Sequence, residues 1–400
     1  MIFYVCPVCS PTRVGTLSGR WPHTLGLMRS VIPPWRKRGL DSELMTLPKV
    51  LGENGYKRRA IIGKWHLGHS QESHLPLNQG FTHFYGHLNG AIDYFTHERE
   101  GENDWHRNND PVFEEGYATD LLAKETVKYI EESHKQGEPF FVYLALNAPH
   151  SPFQAKQEDI DKFPNLKGNK RIYAAMVKSM DDGIETILDK LQELNIADNT
   201  FVLFYSDNGG VNKVRSATEI RDGKFSVYEG GIRVCAAARW PAGGISDGKE
   251  INSVPIGYID VLPTICKVIG IDLNKAKYAI DGENILPVLQ GKSQGHERAW
   301  FSYIHQSPHK EHYSLIDGDF KLVKLISHKG NQSTKILELY NLKDSPSEEI
   351  NLTGKYPEKV KFMLKKLEEF KDRQKNPIDH CAYGRDGFKS PKNWIIKDEK

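Results

Sequence analysis

Five polar segments of this 400-residue chain carry side chains suited to acting on a bound anion. The first is Cys9-Ser10-Pro11-Thr12-Arg13, followed by Leu17-Ser18-Gly19-Arg20. Ser10 is a favoured N-cap and Pro11 a favoured first helical residue, so a helix is expected directly after Cys9. A side chain there meets the positive end of the helix and its unpaired backbone N–H groups, a setting for an anionic ester such as a sulfate or phosphate. Arg13, one turn later, supplies a fixed positive charge. Cys6-Pro7-Val8-Cys9 also reads as C-x-x-C, a thiol redox pair or half of a zinc site. A zinc site needs a second ligand pair, and Cys235, Cys266 and Cys381 stand apart from one another. The residues after Cys9 fit a different pattern better than either.

The next three segments each follow an apolar run. In Gly63-Lys64-Trp65-His66-Leu67-Gly68, Lys64 and His66 lie two apart, which on an extended segment puts both on one side. Asn147-Ala148-Pro149-His150-Ser151-Pro152 fixes His150 between two prolines, an unusual place for a packing residue. In Ser206-Asp207-Asn208-Gly209-Gly210, a carboxylate and an amide oxygen stand side by side as ligands for a hard cation, with glycines for a sharp turn. Lys224 lies within Arg221-Asp-Gly-Lys-Phe-Ser-Val-Tyr-Glu-Gly-Gly-Ile-Arg233. Taken singly, K-x-H and D-N-G-G are more often a surface pair and an ordinary turn. Asp181-Asp182 read as helix surface, and Asp93 and His97 are weaker candidates for lining a cleft.

These residues need elements to hold them. Ala60–Gly63, Pro139–Leu146 and Thr200–Tyr205 are short apolar runs typical of strands buried on both faces. A helix over 172–194 is expected between the last two, its apolar residues falling largely at helical spacing. Strand, helix and strand in succession argue for an α/β domain over 1–295 with a mainly parallel central sheet sandwiched by helices. Ligands of such sheets sit at the C-terminal ends of strands, where the polar segments fall. From Trp300 the texture changes: 300–304, 313–316 and 320–325 read as short strands, with Asp317-Gly318-Asp319 as a hairpin turn. With a helix over 357–372, they form a small antiparallel subdomain over 296–374, before a tail over 375–400.

A formal charge of +2 gives no general case for nucleic-acid binding. No run approaches the roughly 18 to 20 apolar residues of a membrane span.

Together, the C-x-P-x-R…L-x-G-R pattern at Cys9, the G-K-W-H-L-G string, N-A-P-H, D-N-G-G and G-K…E-G-G-I-R resemble the motifs of the sulfatase family, in family order from about Phe3 to Glu369. Gly26–Ile32 with Pro33-Pro34 looks most like the arylsulfatase B branch. The resemblance implies an alkaline-phosphatase-like fold and a sulfuric-ester hydrolase acting on a sulfated carbohydrate or aryl sulfate. It further implies that a formylglycine-generating enzyme converts Cys9 to Cα-formylglycine and that Asp207 and Asn208 help hold Ca²⁺. Carried over residue by residue, Lys64 and Lys224 contact sulfate, His66 holds the formylglycine hydroxyl, and His150 protonates the leaving oxygen. The hydrated formylglycine attacks sulfur with one hydroxyl, and the second expels the sulfate. Secreted or periplasmic location is the family's expectation.

One departure is expected to matter. The eight residues before Cys9 contain no acid, whereas sulfatases usually carry an Asp-Asp metal pair on an upstream strand. The chain as written is therefore expected to bind Ca²⁺ poorly, to expose strand edges and to turn over little ester, as a fragment or a product of a misplaced start codon. Two alternatives stand beside the sulfatase reading: a formylglycine phosphonate monoester hydrolase or phosphodiesterase, and a non-catalytic protein binding sulfated glycans through Arg13, Lys64 and Lys224.

Overall fold

A computed structural model describes the chain except for residues 28–30, 217–218, 247, 249, 252–253, 274–277, 308, 331, 376–384, 386 and 398–400. The Gly26–Ile32 likeness therefore falls partly outside the described residues. The chain divides into two compact units, Met1–Val31 with Phe201–Gly384, and Ile32–Thr200 with Arg385–Lys400.

The second unit is built on a five-stranded sheet ordered β7-β6-β3-β2-β8, from β2 (Arg58–Lys64), β3 (His83–His87), β6 (His106–Arg107), β7 (Asp110–Pro111) and β8 (Phe140–Ala145). Parallel pairing is confined to β2, β3 and β8, and the other pairs are antiparallel. Ala60, Ile61 and Ile62 on β2 are wholly buried, as a strand covered on both faces requires. Helix α3 (Ala118–Lys135) buries Leu122, Thr126, Tyr129, Ile130 and Ser133, a stripe at helical spacing. The long α5 (Gly168–Glu193) packs on it closely: a Cβ on Gly183 would lie 3.1 Å from that of Ala123. Asp181 and Asp182 lie on α5, and Asp182 pairs with Lys178 one turn back. The expected helix is thus present and starts four residues earlier. Short helices α2 (Leu47–Glu53) and α4 (Gln157–Ile160) and a ribbon, β4 (Glu98–Arg99) with β5 (Glu102–Asn103), complete the unit. The chain's end docks on that ribbon through Trp394, whose indole N–H donates to the Arg99 carbonyl at 3.0 Å.

Glu125 on α3 ties this unit's sheet to its helix. It accepts hydrogen bonds from Arg107, including one of 3.0 Å to Oε2, and lies 2.9 Å from His83 Nε2. Burial pushes its carboxyl up, but the bonds from His83 and Arg107 and the Arg107 charge overrule that and hold it at about 2, below the ordinary 4.5. A depressed carboxylate contributes stability above its unfolded pKa and loses it as pH falls through the folded one. Thermal unfolding of the protein beside Glu125→Gln is therefore expected to show a constant advantage above about pH 5, shrinking from pH 4.5 toward 2. An advantage that survives at pH 2 would contradict this.

In the first unit, β1 (Ile2–Tyr4), β10 (Arg233–Arg239) and β9 (Val202–Tyr205) form an antiparallel sheet with β10 in the middle. Helix α1 (Cys9–Ser18) packs so closely on Tyr258 that a Cβ on Gly15 would meet its ring at 2.1 Å. Gly19, at φ +64°, closes the helix by donating its N–H to the Gly15 carbonyl at 2.8 Å. Phe3, Val5, Trp21, Tyr258 and Trp300 form the core with residues from α7 (Val261–Val268) and α8 (Leu286–Leu289).

The C-terminal antiparallel sheet belongs to the same unit. It has four strands, β11 (Trp300–Ser307), β12 (Lys310–Asp317), β13 (Phe320–Lys329) and β14 (Gln332–Asn341), and the last was not expected as a strand. Gly318 makes the expected turn at φ +60°. Helix α9 covers the sheet over the expected span, Pro357–Asp372, burying Met363 and Leu367 against Tyr303, Leu315, Leu322 and Leu339. Among the described residues two strands lie at the ends of their sheets: β8 pairs with β2 alone, and β9 with β10 alone. Both are only partly buried. Among the described residues no helix is long and apolar enough to cross a membrane.

Candidate active site

Cys9 is the first residue of α1, one position earlier than expected, and Val8, extended at φ −149°, takes the N-cap place instead of Ser10. The approach is braced from within: the Cys6 N–H donates to Thr12 Oγ1 at 2.9 Å, and the Thr12 hydroxyl donates to the Val8 carbonyl at 3.4 Å. Cys9, Ser10 and Thr12 are at most 2 % exposed. The side chain of residue 9 therefore sits in the first turn, where helix N–H groups have no intrahelical partner. Burial pushes the Cys6 thiol up to about 12, so it is no thiolate at neutral pH, which counts against a redox pair.

Arg13 is buried, and its Nε and Nη2 donate to one oxygen of Asp207 at 3.0 and 2.8 Å. Asp207 follows β9, as does Asn208, whose amide nitrogen donates to the Gly209 carbonyl at 3.0 Å. Asn208 Oδ1 is buried without a hydrogen-bond partner, a costly state unless another group comes to it. That orphaned oxygen and the neighbouring carboxylate are the kind of donors Ca²⁺ takes, though they make only part of a shell of six to eight. Among the described residues no group of three or more His, Cys, Asp or Glu gathers as a metal site.

The glycines beside them serve close approach rather than a special backbone angle. A Cβ on Gly209 would lie 1.9 Å from the Gly230 carbonyl oxygen, and one on Gly223 would lie 2.3 Å from that of Gly210. Main-chain bonds join the same segments: Gly209 N–H to Gly231 O and Lys224 N–H to Gly210 O, both 3.0 Å, and Phe225 N–H to Pro7 O, also 3.0 Å. The run before Cys9, the Asp207–Gly210 loop and the Lys224 turn are thus one hydrogen-bonded assembly. Asp222 and Phe225, flanking Lys224, have φ of +59° and +72°, conformations that non-glycine residues hold only where their surroundings impose them.

The second unit carries Lys64, His66 and His150. Lys64, the last residue of β2, is 2 % exposed. His66 is buried at φ +59°, so the alternation argument that put it beside Lys64 on one side fails: the extended segment ends at the strand. Its N–H donates to the Leu88 carbonyl at 3.0 Å, and a Cβ on Gly90 would meet its ring at 2.5 Å. Asp104, wholly buried, holds that loop by accepting the N–H groups of Leu88 and Asn89, each at 2.9 Å. Sequence reading missed Asp104, since nothing in its neighbourhood marks it.

His150 lies beyond β8, with its N–H on the Asn147 carbonyl at 2.8 Å and the Tyr94 hydroxyl on its own carbonyl at 2.9 Å. Its Nδ1 is 2.7 Å from the Ser151 carbonyl, which can only accept, so Nδ1 bears the proton of that bond. Asp93 and His97 do structural work. Asp93 accepts the N–H groups of Phe95 and Thr96 at 2.9 Å, and buried His97 stacks on Trp105 at 4.5 Å.

The α/β scaffold is of the alkaline-phosphatase-like class. The sulfatase family model matches residues 2–271, and a model for the C-terminal region of N-sulphoglucosamine sulphohydrolase matches 220–375, so the chain belongs to the sulfatase family. It is 27% identical to mouse arylsulfatase J, over 92% of this chain and 69% of that protein. It is 32% identical to human N-acetylgalactosamine-6-sulfatase, over 72% of this chain and 58% of that one. Among solved structures, Ps i-CgsB in complex with k-i-k-neocarrahexaose superposes at TM-score 0.85 and 28% identity, covering 95% of this chain and 86% of that one. BT4656 in complex with D-glucosamine-2-N,6-O-disulfate, at 21% identity and TM-score 0.74, shares the fold, covering 93% of this chain and 90% of that one. The chain thus spans between about three fifths and two thirds of the length of the curated relatives it matches. These matches do not single out the arylsulfatase B branch.

Proposed function

We propose that this chain carries the machinery for hydrolysing sulfate esters of a carbohydrate, with residue 9 at the nucleophilic position and turnover held low by the partial Ca²⁺ shell that Asp207 and Asn208 provide. The observation that carries this reading is the placement of Cys9 in the first turn of α1 with Arg13 fixed one turn on by Asp207, within a chain whose family is the sulfatases. Matured to formylglycine and hydrated by water to the geminal diol, position 9 supplies one hydroxyl that attacks sulfur as the S–O bond to the sugar breaks, and a second whose lost proton lets the aldehyde re-form and expel sulfate. Arg13 and Lys224 offset charge on the transferring group, and the first-turn N–H groups do the same at short range. Asp207 and Asn208 are the residues that would hold Ca²⁺, whose chemistry is to polarise the sulfate oxygens. Lys64 binds sulfate, His66 orients the attacking hydroxyl, and His150 delivers a proton from Nε2 to the leaving sugar oxygen.

The test starts with mass spectrometry of the Cys9 peptide after co-production with a formylglycine-generating enzyme. Sulfate release is then measured from sulfated galactan and glycosaminoglycan oligosaccharides, beside an aryl phosphonate. Matured protein is expected to release sulfate from at least one oligosaccharide and to favour sulfate over phosphonate esters. Preference for the phosphonate points to the monoester hydrolase. Binding of the oligosaccharides without turnover, in fully matured protein, points to a glycan-binding role.

A further inference from the structure

The C-terminal sheet reaches the loops of the first unit through a buried ionic cluster that the catalytic reading does not use. Lys321, on β13, is wholly buried, and its Nζ lies 2.9 Å from Glu229 Oε1 and 2.8 Å from Glu348 Oε1. Glu348 Oε2 accepts the backbone N–H of Glu229 at 2.7 Å, and the Tyr4 hydroxyl donates to Glu229 Oε2 at 3.1 Å. Both glutamates are at most 1 % exposed. Charges so deeply buried are tolerated only when paired and hydrogen-bonded, and removing one partner strands the others. Glu348 also has φ +57°, a costly conformation for a residue with a Cβ.

A second connection runs in parallel. Arg221 lies 3.8 Å from the Tyr228 ring and donates from Nη1 to the Tyr340 hydroxyl on β14 at 2.8 Å and to the Glu348 carbonyl at 3.1 Å. Its own carbonyl accepts the Gly230 N–H at 2.8 Å. Both connections end on one piece of chain. Glu229-Gly230-Gly231 is the turn whose carbonyls press on Gly209, and Arg221 opens the segment carrying Lys224.

We propose that Lys321, Glu348 and Arg221 are positioning residues, a clamp by which the C-terminal sheet sets the Asp207–Gly210 loop and the Lys224 turn. In this assignment the three act through the loops they hold. The assignment rests on the sulfatase reading for what those loops do, but the clamp itself is a statement about this chain's geometry. Its mechanical logic is that glycines packed at van der Waals contact transmit displacement, so a shift of the Glu229 turn is passed directly to Gly209. That explains why a sheet remote in sequence from the motifs buries a lysine among glutamates instead of three apolar residues, an exchange that packing alone would tolerate.

The experiment is amide hydrogen exchange on the intact protein, read at Gly209, Lys224 and Gly230 and, as reference, at Leu315 and Val323 within the C-terminal sheet. Glu348→Ala is expected to speed exchange at Gly209 and Lys224 by about tenfold or more, with the reference amides changing much less. Glu348→Gln keeps an acceptor for the Glu229 N–H and is expected to restore most of the protection. Tyr340→Phe, a milder change, is expected to speed exchange at Gly230 without lowering the melting temperature appreciably. Uniform acceleration at all five amides would mean a purely global loss of stability and would overturn the proposal, as would unchanged exchange at Gly209 and Lys224. If Glu348→Ala fails to fold, Tyr340→Phe and Glu348→Gln decide the matter alone. Because exchange needs no turnover, absence of sulfatase activity would refute the function without touching the clamp.

Discussion

Cys9→Ala is expected to abolish sulfate-ester turnover, by on the order of 10⁴-fold or more, the scale on which deleting an enzyme's nucleophile acts. Folding is expected to survive, because the change removes one buried sulfur atom from a helix N-terminus braced by the Cys6 N–H and Val8 carbonyl bonds of Thr12. The melting temperature should therefore fall by only a few degrees, in line with a cost of about 1 kcal/mol. Cys9→Ser is more informative. A single hydroxyl at this position can attack sulfur, but nothing then remains on residue 9 to expel the sulfate. The expected product is a stoichiometrically sulfated protein, visible as the mass of one added SO3 group, with no further release. Turnover by Cys9→Ala within tenfold of the matured protein would end the case for residue 9 as nucleophile, and rapid multiple turnovers by Cys9→Ser would show that one hydroxyl suffices.

Gly209→Ala has the next largest expected effect, through geometry alone. The new methyl would lie 1.9 Å from the Gly230 carbonyl oxygen and 2.7 Å from the Gly231 Cα, both backbone atoms unable to rotate aside. The loop must move, stretching the 3.0 Å bond from Gly209 to Gly231 and shifting Asp207 and Asn208 with it. Overpacking of this kind costs about 1–3 kcal/mol of stability. A displacement of about 1 Å at a reacting centre costs roughly 100-fold in rate, so activity should fall further than stability. Gly354→Ala is the matched control, since nothing lies within 4 Å of its would-be Cβ. Thermal melts and kcat/KM on both variants check this, and equal behaviour of the two would show that the Gly209 contact is not binding on the loop.

The contrast between these residues and the rest of the site shows what a sequence can disclose. Lys64, His150 and Asp207 were singled out because each stands at or after an apolar run and within a string resembling a sulfatase motif, and strand ends are where such sheets present ligands. Helix α9 was legible to the residue, because Pro357 starts it and its apolar spacing is regular. Lys321 was not legible. It sits in Phe320-Lys-Leu-Val-Lys-Leu325, where alternation gives a lysine no reason to be inside, and its partners Glu229 and Glu348 lie far along the chain. The left-handed backbone of His66 was also hidden, since it follows from the contacts of the Leu88 and Gly90 loop. Gly209 was noticed for the wrong reason: a turn was expected, and what the position requires is room. Local chemistry is written locally, and constraints arising from two distant segments meeting are not.

The outer strands β8 and β9 have a consequence for handling this protein. Val202–Tyr205 and Phe140–Ala145 contain no charge and no proline, the devices by which terminal strands discourage partners, and Phe204 is 37 % exposed. Among the described residues each is paired along one side, so the other side is where an extended polypeptide would add, another molecule of the same chain included. Self-adhesion through strand addition, growing with concentration and indifferent to the sequence of the incoming strand, is the colloidal signature this fold should carry.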